Sequence, residues 1–189
     1  MFPVRAKKNL GQHFLKDEEI ANRIAATLDD FPSLPVLEVG PGTGMLTQFL
    51  LQRKRDLTVV EIDGESVDYL HANFPELQGR ILQEDFLQMN FSKLYSGNFC
   101  VIGNYPYNIS SQIFFKVIDH REQIPCCSGM IQKEVAEHMV ASPGSKTCQI
   151  SQMMKNLGRV IANEPSLARI APLRSNCERL GVMNVAITR

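Results

Sequence analysis

The 189-residue chain predicts an α/β fold, a mostly parallel sheet with helices on both faces. Three observations carry this. Strand-length apolar runs alternate with helical segments from residue 17 to residue 141. A glycine-rich turn, Gly40-Pro-Gly-Thr-Gly44, joins the first of those strands to a helix. Acids or amides stand where the strands end, at Glu61, Asp85 and Asn104.

Taken in order, Lys7–Leu15 is a polar, aromatic-bearing lead-in with a glycine turn. Asp17 can cap a helix whose Ile20, Ile24 and Leu28 fall on one face, with Ala21 and Ala25 beside them. Phe31–Pro35 breaks that helix and delivers a buried strand, Pro35–Val39, apolar apart from Glu38. Strands are predicted over Leu57–Asp63, Arg80–Asp85, Asn98–Gly103 and Cys126–Gln132. Between and after them, Thr43–Arg53, Glu65–Asn73, Ile109–Asp119 and Lys133–Ala141 read as helices.

The glycine run needs residues without a Cβ, because the main chain must take positive φ and let a ligand approach. The helix that follows presents free N–H groups and its positive dipole end to such a ligand. Glu61 lies 21 positions after Gly40. An acid roughly 20 residues beyond the turn accepts hydrogen bonds from ribose hydroxyls. The same residues also suit a plain strand-to-helix turn with a solvated acid.

Composition bounds the rest. With 44% hydrophobic residues the chain can bury one good core, so one main domain is expected. No apolar run approaches the roughly 20 residues of a membrane span, and no signal peptide is read behind Met1–Arg5, so a cytoplasmic setting is expected. The five cysteines lack metal-type spacing and the four histidines are scattered, so neither a metal site nor a disulfide framework is expected. Charge is uneven. Residues 1–16 carry +4, residues 17–142 carry 9 basic against 18 acidic side chains, and residues 143–189 carry 7 basic against 2 acidic. Basic ends on an acidic body suit a polyanion, and equally suit solvated faces.

Ligands of parallel sheets bind beyond the strands' carboxyl ends, where strand order reverses, so Gly40, Glu61, Asp85 and Asn104 are expected in one crevice. Asp85 suits the exocyclic amine of an adenine, since a carboxylate accepts but cannot donate. In Asn104-Tyr-Pro-Tyr107 the side-chain oxygen of Asn104 and the carbonyl of Pro106 can both accept from a substrate NH₂ group. Drawing on those hydrogens directs the nitrogen lone pair towards an electrophile. Pro106 stiffens the clamp, and Tyr107 offers a ring on which a base can stack. An isolated tetrapeptide of this kind would also serve as a turn with a core tyrosine.

Five motifs extend this reading: Asn9-Leu-Gly-Gln-His-Phe-Leu15, Leu37-Glu-Val-Gly-Pro-Gly-Thr-Gly44, Val60-Glu-Ile-Asp63, Glu84-Asp-Phe86 and Gly103-Asn-Tyr-Pro-Tyr-Asn-Ile-Ser110. By these, residues 1 to about 147 resemble the ribosomal RNA adenine-N6 dimethyltransferases. The resemblance implies a Rossmann-like, class I methyltransferase fold and S-adenosylmethionine as cofactor. It implies ribosomal RNA of the small subunit as partner, with no metal. On that likeness His13 and Leu15 cover the methionine end, Gly40 lies against the cofactor, Glu61 holds the ribose and Asp85 the adenine. Asn104 serves the methionine amine side and the target amine, with Pro106 and Tyr107 completing the catalytic corner. Tyr107 and Phe14 stack on the flipped base. The family pattern usually has Leu where this chain has Tyr105.

Residues 1–142 are therefore expected to form the S-adenosylmethionine-binding catalytic domain. Residues 143–189 depart from the family, whose small C-terminal helical domain is missing from this reading. Gly144 precedes a helix and a strand that ends in Glu164, 20 positions on, a quasi-repeat of the opening module. The stretch 141–187 resembles the cofactor-binding half of RNA cytosine-5 methyltransferases. Pro143-Gly-Ser-Lys-Thr147 occurs in both families, and a fusion or assembly artefact at that word is the expectation. The tail lacks the proline–cysteine nucleophile of cytosine methylation. Arg159–Asn163 and Asn184–Thr188 are expected to complete the main sheet's edge. Two other functions fit the sequence, a cofactor- or RNA-binding assembly module without turnover, and a methyltransferase acting on DNA adenine or glutamine amides.

Overall fold

The computed structural model describes residues 7, 11–133, 147, 148, 151 and 159–188. Arg5, Lys8, Asn9, Leu10, the Gly144 turn and all but the first residue of the helix expected over Lys133–Ala141 lie outside them. The chain divides into two compact units, Met1–Gln132 and Lys133–Arg189.

The first unit runs α1 (Glu18–Ala26), β1 (Val36–Val39), α2 (Met45–Gln52), β2 (Leu57–Val60), α3 (Gly64–Asn73), β3 (Ile81–Leu82), β4 (Cys100–Asn104), α4 (Ser110–Asp119) and β5 (Cys126–Met130). Its five strands are all parallel, in the order β3-β2-β1-β4-β5. The chain starts in the middle of the sheet, works out to β3, then crosses to β4. Strand order thus reverses between β1 and β4, whose residues pair from Val36↔Cys100 to Val39↔Gly103. The crevice of such sheets opens at that reversal.

Alternating side chains of the central strands feed two cores, as expected for a sheet covered on both faces. Leu37, Val39 and Val101 pack with Phe86, Phe91, Phe99 and the α4 residues Ile113 and Val117. On the other face Val36, Val59 and Ile102 pack with Ala25 of α1, Leu46 and Leu50 of α2, and Leu70 of α3. In the first core Phe91 meets Phe99 edge-on at 5.2 Å between ring centroids, a favoured aromatic geometry.

Two expectations need local correction. Asp17 does cap α1, accepting from the Ile20 N–H at 3.1 Å. The buried stripe of that helix, however, is Ala21, Ala25 and Leu28, each fully buried, while Ile20 is 39% exposed. Small residues let α1 approach α2 closely, and Arg53, just past the end of α2, reaches back to Asn22 Oδ1 at 2.8 Å. β3 is shorter than the predicted Arg80–Asp85, because the Asp85 carboxylate accepts from the Leu87 N–H and starts a single 3₁₀ turn, Phe86–Gln88.

In the second unit β6 (Val160–Asn163) and β7 (Val185–Thr188) flank α5 (Leu167–Arg179). The expectation that these strands complete the main sheet's edge is not met. They pair with each other, parallel, in a separate two-stranded sheet. The reason lies in α5, which carries Leu173 and Cys177 onto Ala162 and Val182 and so gives this βαβ segment a small core of its own. Cys148 belongs to that core, its sulfur 3.8 Å from that of Cys177, consistent with a packing role for both. Among the described residues no helix is long and apolar enough to cross a membrane.

The buried face of α1 is open to test by urea denaturation. Ala21→Leu should cost about 1–3 kcal/mol through overpacking, whereas Ile20→Ala should stay within about 0.5 kcal/mol. Equal effects would restore the isoleucine face.

Candidate active site

At the carboxyl end of β1 the backbone turns through Gly40, Gly42 and Gly44, all at positive φ (66°, 56° and 80°). The turn is held from β2. The Gly42 N–H donates to Glu61 Oε2 at 3.1 Å, and the N–H groups of Ile62 and Asp63 donate to Oε1 at 2.9 and 3.0 Å. Burial raises the Glu61 pKa above the usual carboxylate value, and these three donors pull against it. A carboxylate offers about four acceptor positions, so three backbone bonds still leave capacity for a hydroxyl.

A second layer comes from the lead-in. The Asn104 amide, at the end of β4, donates through Nδ2 to the His13 carbonyl at 2.6 Å. That bond fixes which way the amide faces and leaves Oδ1 as the acceptor end. The rings of His13 and Tyr107 lie 5.9 Å apart, tilted by 59°. Gly11, at φ 63°, packs so closely on Asn108 and Tyr107 that a Cβ would stand 3.2 Å from the Tyr107 ring and nearer still to the Asn108 amide. Phe14 covers Gly42, where a Cβ would come within 2.8 Å of its ring. Lys7 pairs with Asp63 and, at 3.1 Å, with Glu65, and its N–H donates to Gln12 Oε1 at 2.9 Å. Burial pushes the Asp63 carboxyl up, but hydrogen bonds from Lys7 and Ser66 outweigh it and hold the group below its ordinary value.

These elements enclose one hollow. Of the residues singled out in the sequence, His13, Phe14, Leu15, Gly40, Glu61, Asp85, Asn104 and Pro106 line it. Glu61 and Asn104, from different strands, share its wall. Tyr107 is not among the lining residues and is 45% exposed. Tyr105 is buried, with Phe114 edge-on at 5.3 Å and its hydroxyl donating to the Ser128 carbonyl at 2.7 Å, which accounts for a tyrosine at a position the family usually fills with leucine. Lys7, in the basic lead-in, spends its charge on two carboxylates of its own chain.

Glu38 lines the hollow without having been assigned a role. It is 1% exposed; Thr47 donates to its Oε2 at 2.8 Å, and Oε1 has no hydrogen-bond partner among the described residues. Burial first, and the charge of Glu61 further, lift its pKa to about 8, against the pull of the Thr47 hydroxyl. The signal was legible, since Glu38 is the one polar residue in a four-residue strand that is buried throughout. Among the described residues no group of three or more His, Cys, Asp or Glu side chains could hold a metal ion.

Comparison with known proteins follows the same outline. A family model described as Ribosomal RNA adenine dimethylase matches residues 4–165, past residue 147, near which the resemblance was expected to end. The chain is 70% identical over 151 residues to the Ribosomal RNA small subunit methyltransferase A of Parabacteroides distasonis, covering 80% of this chain and 57% of that protein. It is 58% identical over 159 residues to the same-named protein of Porphyromonas gingivalis, covering 83% of this chain and 62% of that one. The chain thus spans little more than half the length of these relatives. Among solved structures it resembles a dimethyladenosine transferase from Plasmodium falciparum, with a TM-score of 0.57 at 32% identity over 71% of this chain and 48% of that one. It also resembles the 23S rRNA methyltransferase ErmE, with a TM-score of 0.56 at 32% identity over 70% of this chain and 53% of that one. With the five-stranded parallel sheet and its glycine turn, these similarities give the class I methyltransferase fold that the motifs implied. The chain belongs to the ribosomal RNA adenine dimethylase family.

Proposed function

We propose that this chain is an S-adenosylmethionine-dependent RNA methyltransferase that dimethylates N6 of adenine in small-subunit ribosomal RNA, in the cytoplasm where ribosomes are built. The observation that carries the reading is the single hollow shared by Glu61, Asp85 and Asn104, with the Asn104 amide turned by its bond to His13. The donor set suits the cofactor. Glu61 retains capacity for ribose hydroxyls, Asp85 keeps an oxygen beyond the one bound to Leu87 N–H for an adenine amine, and the glycine turn admits close approach. Bound S-adenosylmethionine supplies an electrophilic methyl group on a positively charged sulfur.

The chain's own residues then do three things. Asn104 Oδ1 and the Pro106 carbonyl accept the hydrogens of the target amine, two before the first transfer and one before the second, so its lone pair leaves conjugation with the ring, and each transfer releases one amine proton to solvent. Tyr107, exposed beside Asn104, supports the extruded base by stacking. His13, Phe14 and Leu15 cover the glycine end and shed water, so that positioning and electrostatics set the rate. Glu38 presents a carboxyl that is neutral below about pH 8, with its unpartnered oxygen able to bond the cofactor's methionine end. The contacts between the lead-in and the Asn104–Asn108 corner favour this reading over other users of an Asn-x-Pro-Tyr corner, since here the corner is built jointly with residues 11–15.

The deciding assay incubates the protein with labelled cofactor and unmethylated small-subunit RNA and measures dimethyladenine. Asn104→Ala should lower the rate at least about 100-fold, with RNA affinity unchanged. Label transfer by the variant at the normal rate would misassign the clamp; RNA binding without transfer by the unaltered chain would make it a binding module.

RNA affinity should fall steeply with salt, because phosphate contacts release counterions. Lys7→Met should leave that slope unchanged, since Lys7 is already paired with Asp63 and Glu65, and filter binding from low to high salt measures it.

Glu38 makes stability depend on pH with a definite sign. Its folded pKa, about 8, lies above the ordinary value of 4.5 for a glutamate. The folded state therefore binds the proton more tightly, and the stability linked to it is full below pH 4.5 and lost progressively as pH rises to about 8. Glu38→Gln should flatten the fall in melting temperature across that window, followed by circular dichroism. An unchanged pH profile would show that Glu38 is ionised in the fold.

A further inference from the structure

Lys116 stands on α4, six residues into the helix that begins just after the Asn104–Asn108 corner. Its ammonium donates to three main-chain carbonyls, those of Phe86 at 2.8 Å, Leu87 at 2.9 Å and Met89 at 2.6 Å. An ammonium has three N–H donors, so each is used. The group also lies 4.7 Å from the centre of the Phe91 ring and 5.5 Å from that of Phe86, within cation–π range.

All three carbonyls belong to the short 3₁₀ turn and its exit. The residue that caps this turn is Asp85, through the 2.9 Å bond from Leu87 N–H to Oδ1, and both Asp85 and Leu87 line the hollow. A single 3₁₀ turn makes few hydrogen bonds of its own, so its carbonyls need outside donors to hold a fixed position. Lys116 supplies them from α4, the helix that follows the Asn104–Asn108 corner. Burial pulls the Lys116 pKa below its ordinary value, and the nearby Asp85 carboxylate opposes that pull.

We propose that Lys116 is a positioning residue for base recognition in the cofactor pocket. By gripping the carbonyls of Phe86, Leu87 and Met89, it holds Asp85 where one carboxylate oxygen can accept from an adenine amine, and so sets the preference for an amino-purine over an oxo-purine. This rests on the reading of Asp85 given above.

The test uses the full chain and two probes, S-adenosylhomocysteine and its inosine counterpart, which carries an oxo group in place of the exocyclic amine. Both affinities are measured by isothermal titration for the unaltered chain, Lys116→Met, Lys116→Arg and Asp85→Asn. The unaltered chain should prefer the adenosine probe by about tenfold or more, the scale of one hydrogen bond to a charged acceptor. Lys116→Met should bring the ratio close to one, and Lys116→Arg should restore most of it. A residue that merely supported the fold would lower the melting temperature and leave the ratio alone, and a folded Lys116→Met with the normal ratio overturns the proposal. Should Lys116→Met not fold, Lys116→Gln, which keeps two donors, decides by the same ratio. If Asp85→Asn keeps the preference, the Asp85 reading fails; if Asp85→Asn loses it and Lys116→Met does not, only the Lys116 proposal fails.

Discussion

A hydrogen bond from the Asn104 side chain to the His13 carbonyl is the contact on which the site depends. It joins two segments 91 residues apart in the chain. An asparagine amide has a donor end and an acceptor end that look alike in shape, and only a committed partner on one end decides what the other presents. With Nδ2 donating to His13, the oxygen is the end left as an acceptor. The same contact fastens residues 11–15 across the mouth of the sheet. Gly11 pressed on Asn108 and Tyr107, and Phe14 pressed on Gly42, show how little room the arrangement leaves.

The hollow is acidic and only partly solvated, which shapes its chemistry. Glu38 and Glu61 are both almost wholly buried, yet they meet burial differently. Glu61 has three backbone donors to offset the loss of water, and it braces the glycine turn through them. Glu38 has one hydroxyl, and its second oxygen has no partner among the described residues. An unpaired buried oxygen is costly unless the group stays protonated or a ligand satisfies it.

The second unit carries a small core of its own. A strand, a helix and a strand form a parallel pair, with Ala162, Leu173, Cys177 and Val182 packed together with Cys148. Glu164, which ends β6, accepts from Ser166 N–H at 3.1 Å and pairs with Arg169 at 3.3 Å. The corresponding acid of the first unit, Glu61, likewise accepts from the N–H two residues on. The two strand-ending acids thus share this one local contact, while the Gly144 turn of the quasi-repeat lies outside the described residues.

The sequence by itself determined the parallel α/β architecture, the glycine turn and the strand ends at which Glu61 and Asn104 stand, because these follow from short-range rules of periodicity, turn chemistry and spacing, whereas Asp85 lies beyond the end of β3 and caps a 3₁₀ turn. Burial at the surface of a helix was less legible. Ile20 and Ala21 are neighbours, and which of them is covered depends on how closely α2 approaches, a fact held in Arg53 and Asn22 and not in the hydropathy of α1. The pairing of β6 with β7 was likewise undecidable, since an apolar strand does not specify its partner. Only the tertiary structure set the orientation of the Asn104 amide, the burial that raises the Glu38 pKa and the covering of Gly42 by Phe14. Each of these comes from groups far apart in the chain meeting where water is scarce, and neither long-range contact nor local dielectric is written in any single stretch of residues.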